Sequence, residues 1–131
     1  MTTVVRGPRT WFMASPERPT EAIARTAARL RATRCALGLT QRRIAELCNV
    51  SEARWSNWER GDHFPDILVM VQLGTLYGVT LDWIFRGALA GVPHRLASEL
   101  QRRRPDLVLG GDPQATPAPD WDEIADPAAT A

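Results

Sequence analysis

Catalysis needs side chains that can exchange protons, attack or hold a metal, and few such groups come together in this chain of 131 residues. Its two histidines, His63 and His94, stand far apart in sequence. Its two cysteines, Cys35 and Cys48, form neither a CxxC nor a zinc-finger spacing. No phosphate loop and no nucleophile motif occurs, so no enzyme activity, metal or cofactor is expected. The polar groups that do gather lie in residues 52–60, where Glu52, Arg54, Asn57 and Arg60 are interleaved with Trp55 and Trp58. At about 100° per residue, Ala53, Asn57 and Arg60 point away from Trp55, with Arg54 and Ser56 on the flanks. One side of the segment is apolar and the other polar and partly basic, a pattern for binding rather than for bond-making.

Such a face is useful only if its helix is fixed from behind. Residues 39–61 read as two short helices joined by a tight turn, each opened by a hydroxyl cap. Thr40 precedes the first, residues 41–48, and Ser51 precedes the second, residues 52–60. Thr and Ser cap well because their oxygens accept from the unpaired amides of a first helical turn. Only Asn49-Val50 lies between them, and Asn tolerates the left-handed backbone with which a helix stops abruptly. Ile44, Ala45 and Cys48 supply the buried side of the first helix, and Ala45 must stay small where two helices cross closely. A buried helix presenting a second one with a polar outer face is the geometry of a helix-turn-helix.

Further elements flank this pair. Thr20 is expected to cap a helix running to about residue 36, with Ile23, Ala27, Leu30, Arg34 and Leu37 on its core stripe. Arg34 interrupts that stripe, and a buried arginine needs an acid. Glu59, about 40° from Trp55 on the buried side of its own helix, is the natural partner. Gly38 ends the first helix. Asp66 can cap a helix to residue 77, Gly78 closes it, and Thr80 caps a last short one over 81–86. In the helix over 67–77, Met70, Leu73, Gly74 and Tyr77 fit a core stripe, yet Ile67, Leu68, Val69, Val71 and Leu76 make it apolar nearly all round. Such a helix is expected to be covered on more than one side, by the core and by a dimer partner. Beyond Gly87 one more helix is possible, with Pro93 in its first turn and Leu96 and Leu100 on one face. The arginines at 102, 103 and 104 are expected to be solvated, with a phosphate contact as the alternative.

Taken in order, Arg34, Gly38-Leu39-Thr40-Gln41, Ala45, Val50-Ser51, Ser56, Trp58-Glu59, Gly61, Pro65, Gly78-Val79 and Leu81-Asp82-Trp83-Ile84 resemble the DNA-binding domain of phage Cro/cI-type repressors, the XRE family. The resemblance covers about residues 20–87. It implies an all-α fold, a compact bundle of about five short helices with a helix-turn-helix, to which a possible sixth helix and flexible termini are added. It also implies that residues 51–60 enter the major groove, where base edges can be told apart. Glu52, Ala53, Arg54 and Asn57 are then the base-readers: arginine suits guanine, asparagine adenine, glutamate cytosine, and alanine a thymine methyl. Glu52 has two alternatives, an ion pair with Arg42 or Arg43 and simple stabilisation of the first helical turn. Gln41, Arg42, Arg43, Ser51, Arg60 and His63 are implied as phosphate contacts, which fix register without carrying sequence information. Arg34 and Glu59 are implied as a structural ion pair between the first and third helices. The chain departs from the family pattern in having Asn49 where glycine is usual, and Trp55 where a smaller aliphatic residue is usual.

Charge is unevenly spread. The net charge is +1, but residues 20–60 carry eight arginines against four glutamates, whereas residues 105–131 carry six acids and no base. A near-neutral total therefore conceals a basic domain and an acidic tail. All basic residues are arginine. Eight of the ten prolines lie in the first 19 residues or from 105 onward. The expected organisation is a flexible arm over 1–19, the helix-turn-helix domain over 20–87, an additional helix over 88–104 and a disordered tail over 105–131. The arm carries Arg6, Arg9 and Arg18 beside Trp11-Phe12-Met13, and could track DNA or pack on a partner. No apolar run is long enough to span a bilayer, and residues 1–19 do not read as a secretory signal. The expectation is a cytoplasmic protein, on the nucleoid when bound to DNA. Its expected function is that of a sequence-specific transcriptional regulator, a repressor, binding a pseudo-palindromic operator as a homodimer. The alternative is an antitoxin-like protein-interaction module that holds a partner through the N-terminal aromatics or the helix over 67–77 and also binds its own operator.

Overall fold

The computed structural model describes residues 18–111, and among these every regular element is a helix. The order is α1 (Pro19–Ala36), α2 (Gln41–Leu47), α3 (Glu52–Glu59), α4 (Ile67–Tyr77), α5 (Leu81–Arg86) and α6 (His94–Arg103), then a 3-10 turn, Pro105–Leu107. The expected all-α bundle is what forms. Most of the arm over 1–19 and most of the tail over 105–131 lie outside the described residues.

Four helix starts follow from local caps. Thr40 Oγ1 accepts from Arg43 N at 2.9 Å and Ser51 Oγ accepts from Arg54 N at 3.1 Å. Asp66 Oδ1 accepts from Leu68 N at 2.9 Å and Thr80 Oγ1 from Trp83 N at 3.0 Å. The start of α1 differs from expectation. Arg18, not Thr20, is its N-cap, and its amide donates to Glu21 Oε1 at 3.3 Å. Pro19 explains the shift, since proline lacks an amide hydrogen and its fixed φ suits the first helical position. Thr20 is thereby drawn inside the helix.

Helix α1 is the axis of the bundle. Ala27, Leu30 and Arg34 of the expected stripe are buried, but so are Thr26, Arg29, Ala32, Thr33 and Cys35, because α3, α5, α6 and the 3-10 turn all pack on this helix. A single amphipathic stripe therefore understates its burial. The core around it is built on Leu30, Ile44, Trp55, Trp58, Met70, Leu73, Trp83, Ile84 and Leu100. Trp83 brings a polar edge into this interior, and its Nε1 donates to Thr33 Oγ1 at 2.7 Å. The same hydroxyl donates to the Arg29 carbonyl at 2.7 Å, so the buried indole and hydroxyl are both satisfied.

The C-terminal end departs from the sequence reading. Residues 105–107 were expected in a disordered tail, yet they form the 3-10 turn, with Leu107 buried. Arg29, 3% exposed, donates from Nε to the Leu107 carbonyl at 3.1 Å and from Nη1 to the Ile84 carbonyl at 3.4 Å. Gly87 is left-handed at φ +83°, and a Cβ there would lie 2.6 Å from the Leu107 oxygen. Its own carbonyl accepts from Leu109 N at 2.8 Å. Any side chain at 87 would push this segment off the bundle. The three arginines read as solvated also divide: Arg103 is 6% exposed and bonded to Glu99, and Arg104 reaches Asp106 at 2.7 Å. Pro93 is the residue just before α6 rather than within its first turn.

Helix α4 behaves as expected on one side only. Met70 and Leu73 are buried, while Ile67, Leu68, Val71 and Leu76 are 59, 77, 48 and 41% exposed. Within the described residues nothing covers that outer side.

Candidate nucleic-acid interface

Helices α2 and α3 are joined by a turn in which Asn49 has φ 58°, the one left-handed non-glycine among the described residues. Val50 N donates to the Ala45 carbonyl at 3.0 Å, closing the end of α2 as the chain reverses. Ile44 and Ala45 are buried beneath this turn. Ser51 then starts α3 from a fixed point.

Behind α3, one carboxylate accepts four hydrogen bonds from three side chains. Arg34 donates from Nε to Glu59 Oε2 at 2.7 Å and from Nη2 to Oε1 at 3.1 Å. Gln41 Nε2 donates to Oε1 at 3.0 Å, and Trp55 Nε1 donates to Oε2 at 2.7 Å. Glu59 is thus saturated from α1, α2 and its own helix, and the Arg34 and Glu59 side chains are 3% and 2% exposed. Arg34 Nη1 also donates to the Leu39 carbonyl at 2.9 Å, tying in the chain before α2. The Arg34–Glu59 contact was legible in the sequence. The parts played by Gln41 and Trp55 were not. Trp55 stands one turn before Glu59, so an indole where the family usually has an aliphatic side chain finds its acceptor four residues on. Gln41, assigned to phosphate by resemblance, has its amide group engaged by this carboxylate.

On the other side of α3, Glu52, Ala53 and Arg54 are exposed and Asn57 is half-buried. The cationic groups here do not stand alone. Arg42 and Arg43 lie 3.7 and 3.4 Å from Glu46, so the pairing with Glu52 considered from the sequence is replaced by one within α2. Arg60 donates to Ser56 Oγ at 3.0 Å, to Asn57 Oδ1 and to Asp62 Oδ2 at 3.2 Å. Arg54 Nη2 is 3.4 Å from Asp66 Oδ2, and its guanidinium lies over the Trp58 ring at 5.5 Å. Each exposed arginine of α2 and α3 therefore faces a carboxylate. Ser51 and His63 are exposed, Ser51 at the start of α3 and His63 in the loop after it. The sequence count of eight basic residues overstates the outer charge, because Arg29 and Arg34 are interior groups.

The thiols are not reactive groups. Burial pushes Cys48 up to about 11 and also raises Cys35, so both stay protonated near neutrality. Among the described residues no group of three His, Cys, Asp or Glu side chains could hold a metal ion.

Residues 25–83 match the family model of a helix-turn-helix domain. This chain contains a helix-turn-helix domain. Its boundaries take in most of α1 and reach the middle of α5, so the Arg34–Glu59 pair and both helices of the motif lie inside. Helix α6 and the 3-10 turn lie outside the matched helix-turn-helix region. No curated protein and no solved structure matched the chain. Within the motif, α3 occupies the place of the second helix, the one that such domains lay in the major groove of DNA. Among the described residues no helix is long and apolar enough to cross a membrane.

Proposed function

We propose that this protein is a sequence-specific DNA-binding transcriptional regulator, acting as a repressor, that binds a pseudo-palindromic operator as a homodimer. One observation supports the reading: α3 is held from behind by three hydrogen bonds that Arg34 of α1 and Gln41 of α2 donate to Glu59, while Glu52, Ala53, Arg54 and Asn57 are left on its outer side. A reading helix must be rigidly placed, because base edges are distinguished over fractions of an ångström. In this reading Arg54 takes guanine and Asn57 adenine. Arg42, Arg43, Ser51, Arg60 and His63 hold phosphates and set the register, joined by Gln41 through the amide hydrogen that it does not give to Glu59.

A single domain of this size touches few bases, and useful discrimination needs two copies on half-sites about one helical turn apart. The exposed Ile67, Leu68 and Val71 on α4 support a self-complementary contact. The same face favours the second reading, an antitoxin-like module that holds a different protein. The mass of the purified chain in solution separates them, since a homodimer forms without any partner. Bound to its operator, the protein would sit on the nucleoid in the cytoplasm.

The test is selection of bound sequences from random double-stranded DNA, followed by affinity measurements over a range of salt. A two-fold related consensus and an affinity that falls steeply with salt are expected. Recovery of no consensus, or an affinity indifferent to salt, would remove the reading.

A further inference from the structure

We propose that the cleft between α1, α4 and α6 is a binding site for a small amphipathic carboxylate, a molecule with a flat apolar body and one anionic group. The inference goes beyond the DNA-binding reading and does not rest on it.

The cleft encloses about 530 Å³, within the usual range of small-molecule sites, about 300–1,000 Å³. One wall is α6, which lies outside the matched helix-turn-helix region. Ala36 and Leu37 at the end of α1, together with Leu96 of α6, supply apolar surface. Tyr77, at the end of α4, and Pro93 add two rings, which suit the face of an aromatic body. Gly78 lets these two residues come together. A Cβ there would lie 2.7 Å from Pro93 Cγ, so a side chain would push the start of α6 away from the end of α4.

The rim selects the polar group of the ligand. Arg54, Arg60, Arg86, Arg102 and Arg104 each have a carboxylate within 3.4 Å. Arg95 lines the cleft and has no ion-pair or hydrogen-bond partner among the described residues. Glu99, four residues on, is its natural partner on a helix, but Arg102 at 2.9 Å and Arg103 already occupy that carboxylate. Three arginines against this one glutamate leave α6 positive beside the cleft. Pro93 opens the helix without a side-chain cap, so the positive end of the helix dipole adds to the same rim. The Tyr77 phenol also has no hydrogen-bond partner among the described residues and can donate to an anion placed there. A cationic ligand would meet Arg95, and a neutral one would leave it unpaired. An anion is what the rim lacks.

The test is a titration of the full, isotope-labelled chain near neutral pH with naphthylacetate, followed by amide shifts in NMR. Naphthylacetamide, the neutral amide of the same acid, is titrated in parallel. Saturable shifts are expected at residues 36–37, 77 and 94–99. The acid should bind about two- to fivefold more tightly than the amide, the range of one exposed ion pair. Arg95→Gln should bring the acid down to the affinity of the amide, and Arg95→Glu should make the amide the tighter of the two. Arg95 is exposed, so both variants should keep the fold, which unchanged shifts away from the cleft would verify. Equal affinities for acid and amide in the wild type, or a preference for the acid that survives Arg95→Glu, would overturn the proposal. So would shifts confined to the outer side of α4 around Leu68, or no saturable shift at all. None of these readouts involves DNA, so their failure leaves the DNA-binding reading standing, and the failure of that reading leaves this site standing.

Discussion

Arg34 and Glu59 meet in a two-point contact across 25 residues of sequence, at 2.7 and 3.1 Å, with both side chains nearly sealed from water. The contact ties α3 to the central helix α1. Removing one partner of such a pair leaves a buried charge without compensation. Arg34→Ala should therefore lower stability by about 3–5 kcal/mol, read from urea denaturation. A loss below 1 kcal/mol would show that the pair is not what holds α3.

Trp55 makes a separable contribution. Trp55→Phe retains most of the ring but removes the donor to Glu59 Oε2. Hydrogen bonds to charged groups contribute about 1.5–3 kcal/mol, and a loss of that size is expected, with the helical circular dichroism of the native state retained.

Arg54 and Arg43 should behave differently on DNA. Arg54→Ala is expected to cost about 1–3 kcal/mol on the selected site and to relax one base position in a repeated selection. Arg43→Ala should weaken all duplexes alike and make the salt slope shallower by about 1. The same profile for both variants would contradict the division between reading and anchoring.

The outer side of α4 predicts the assembly. Leu68 is 77% exposed, so Leu68→Asp should leave the fold intact, shift the sedimentation of the protein from dimer to monomer, and weaken binding to the two-fold site. A wild-type protein that sediments as a monomer at micromolar concentration would favour the partner-holding reading.

Acid should loosen the C-terminal end first. Hydrogen bonds from Arg102 and then Arg103 hold the Glu99 carboxyl down at about 2, against an ordinary 4.5, and the Arg104 guanidinium lowers Asp106 in the same direction. Carboxylates lowered by folding stabilise the native state above their ordinary range and lose that contribution as the pH falls toward the folded value. Protection of α6 amides against hydrogen exchange should accordingly fall between pH 4.5 and about 2, and Glu99→Gln should flatten part of that fall.

Much of the architecture can be read from the chain because helix ends are local. Thr40, Ser51, Asp66 and Thr80 each bond an amide two or three residues away, and Gly78 and Asn49 adopt the left-handed backbone that their residue types allow. The buried side of α3 was equally legible, since Trp55, Trp58 and Glu59 share one face by spacing alone. What tertiary structure decided are the contacts between residues that no local pattern relates. Gln41 reaches Glu59 across 18 residues, Arg54 reaches Asp66 across 12, and Arg29 reaches Leu107 across 78. An arginine reads the same in sequence whether it faces water, a phosphate, a carboxylate or a carbonyl in the core. Only the packing of α1, α4 and the C-terminal turn assigns Arg29 to the interior, Arg34 to the support of α3, and Arg54 to a resting place beside Asp66.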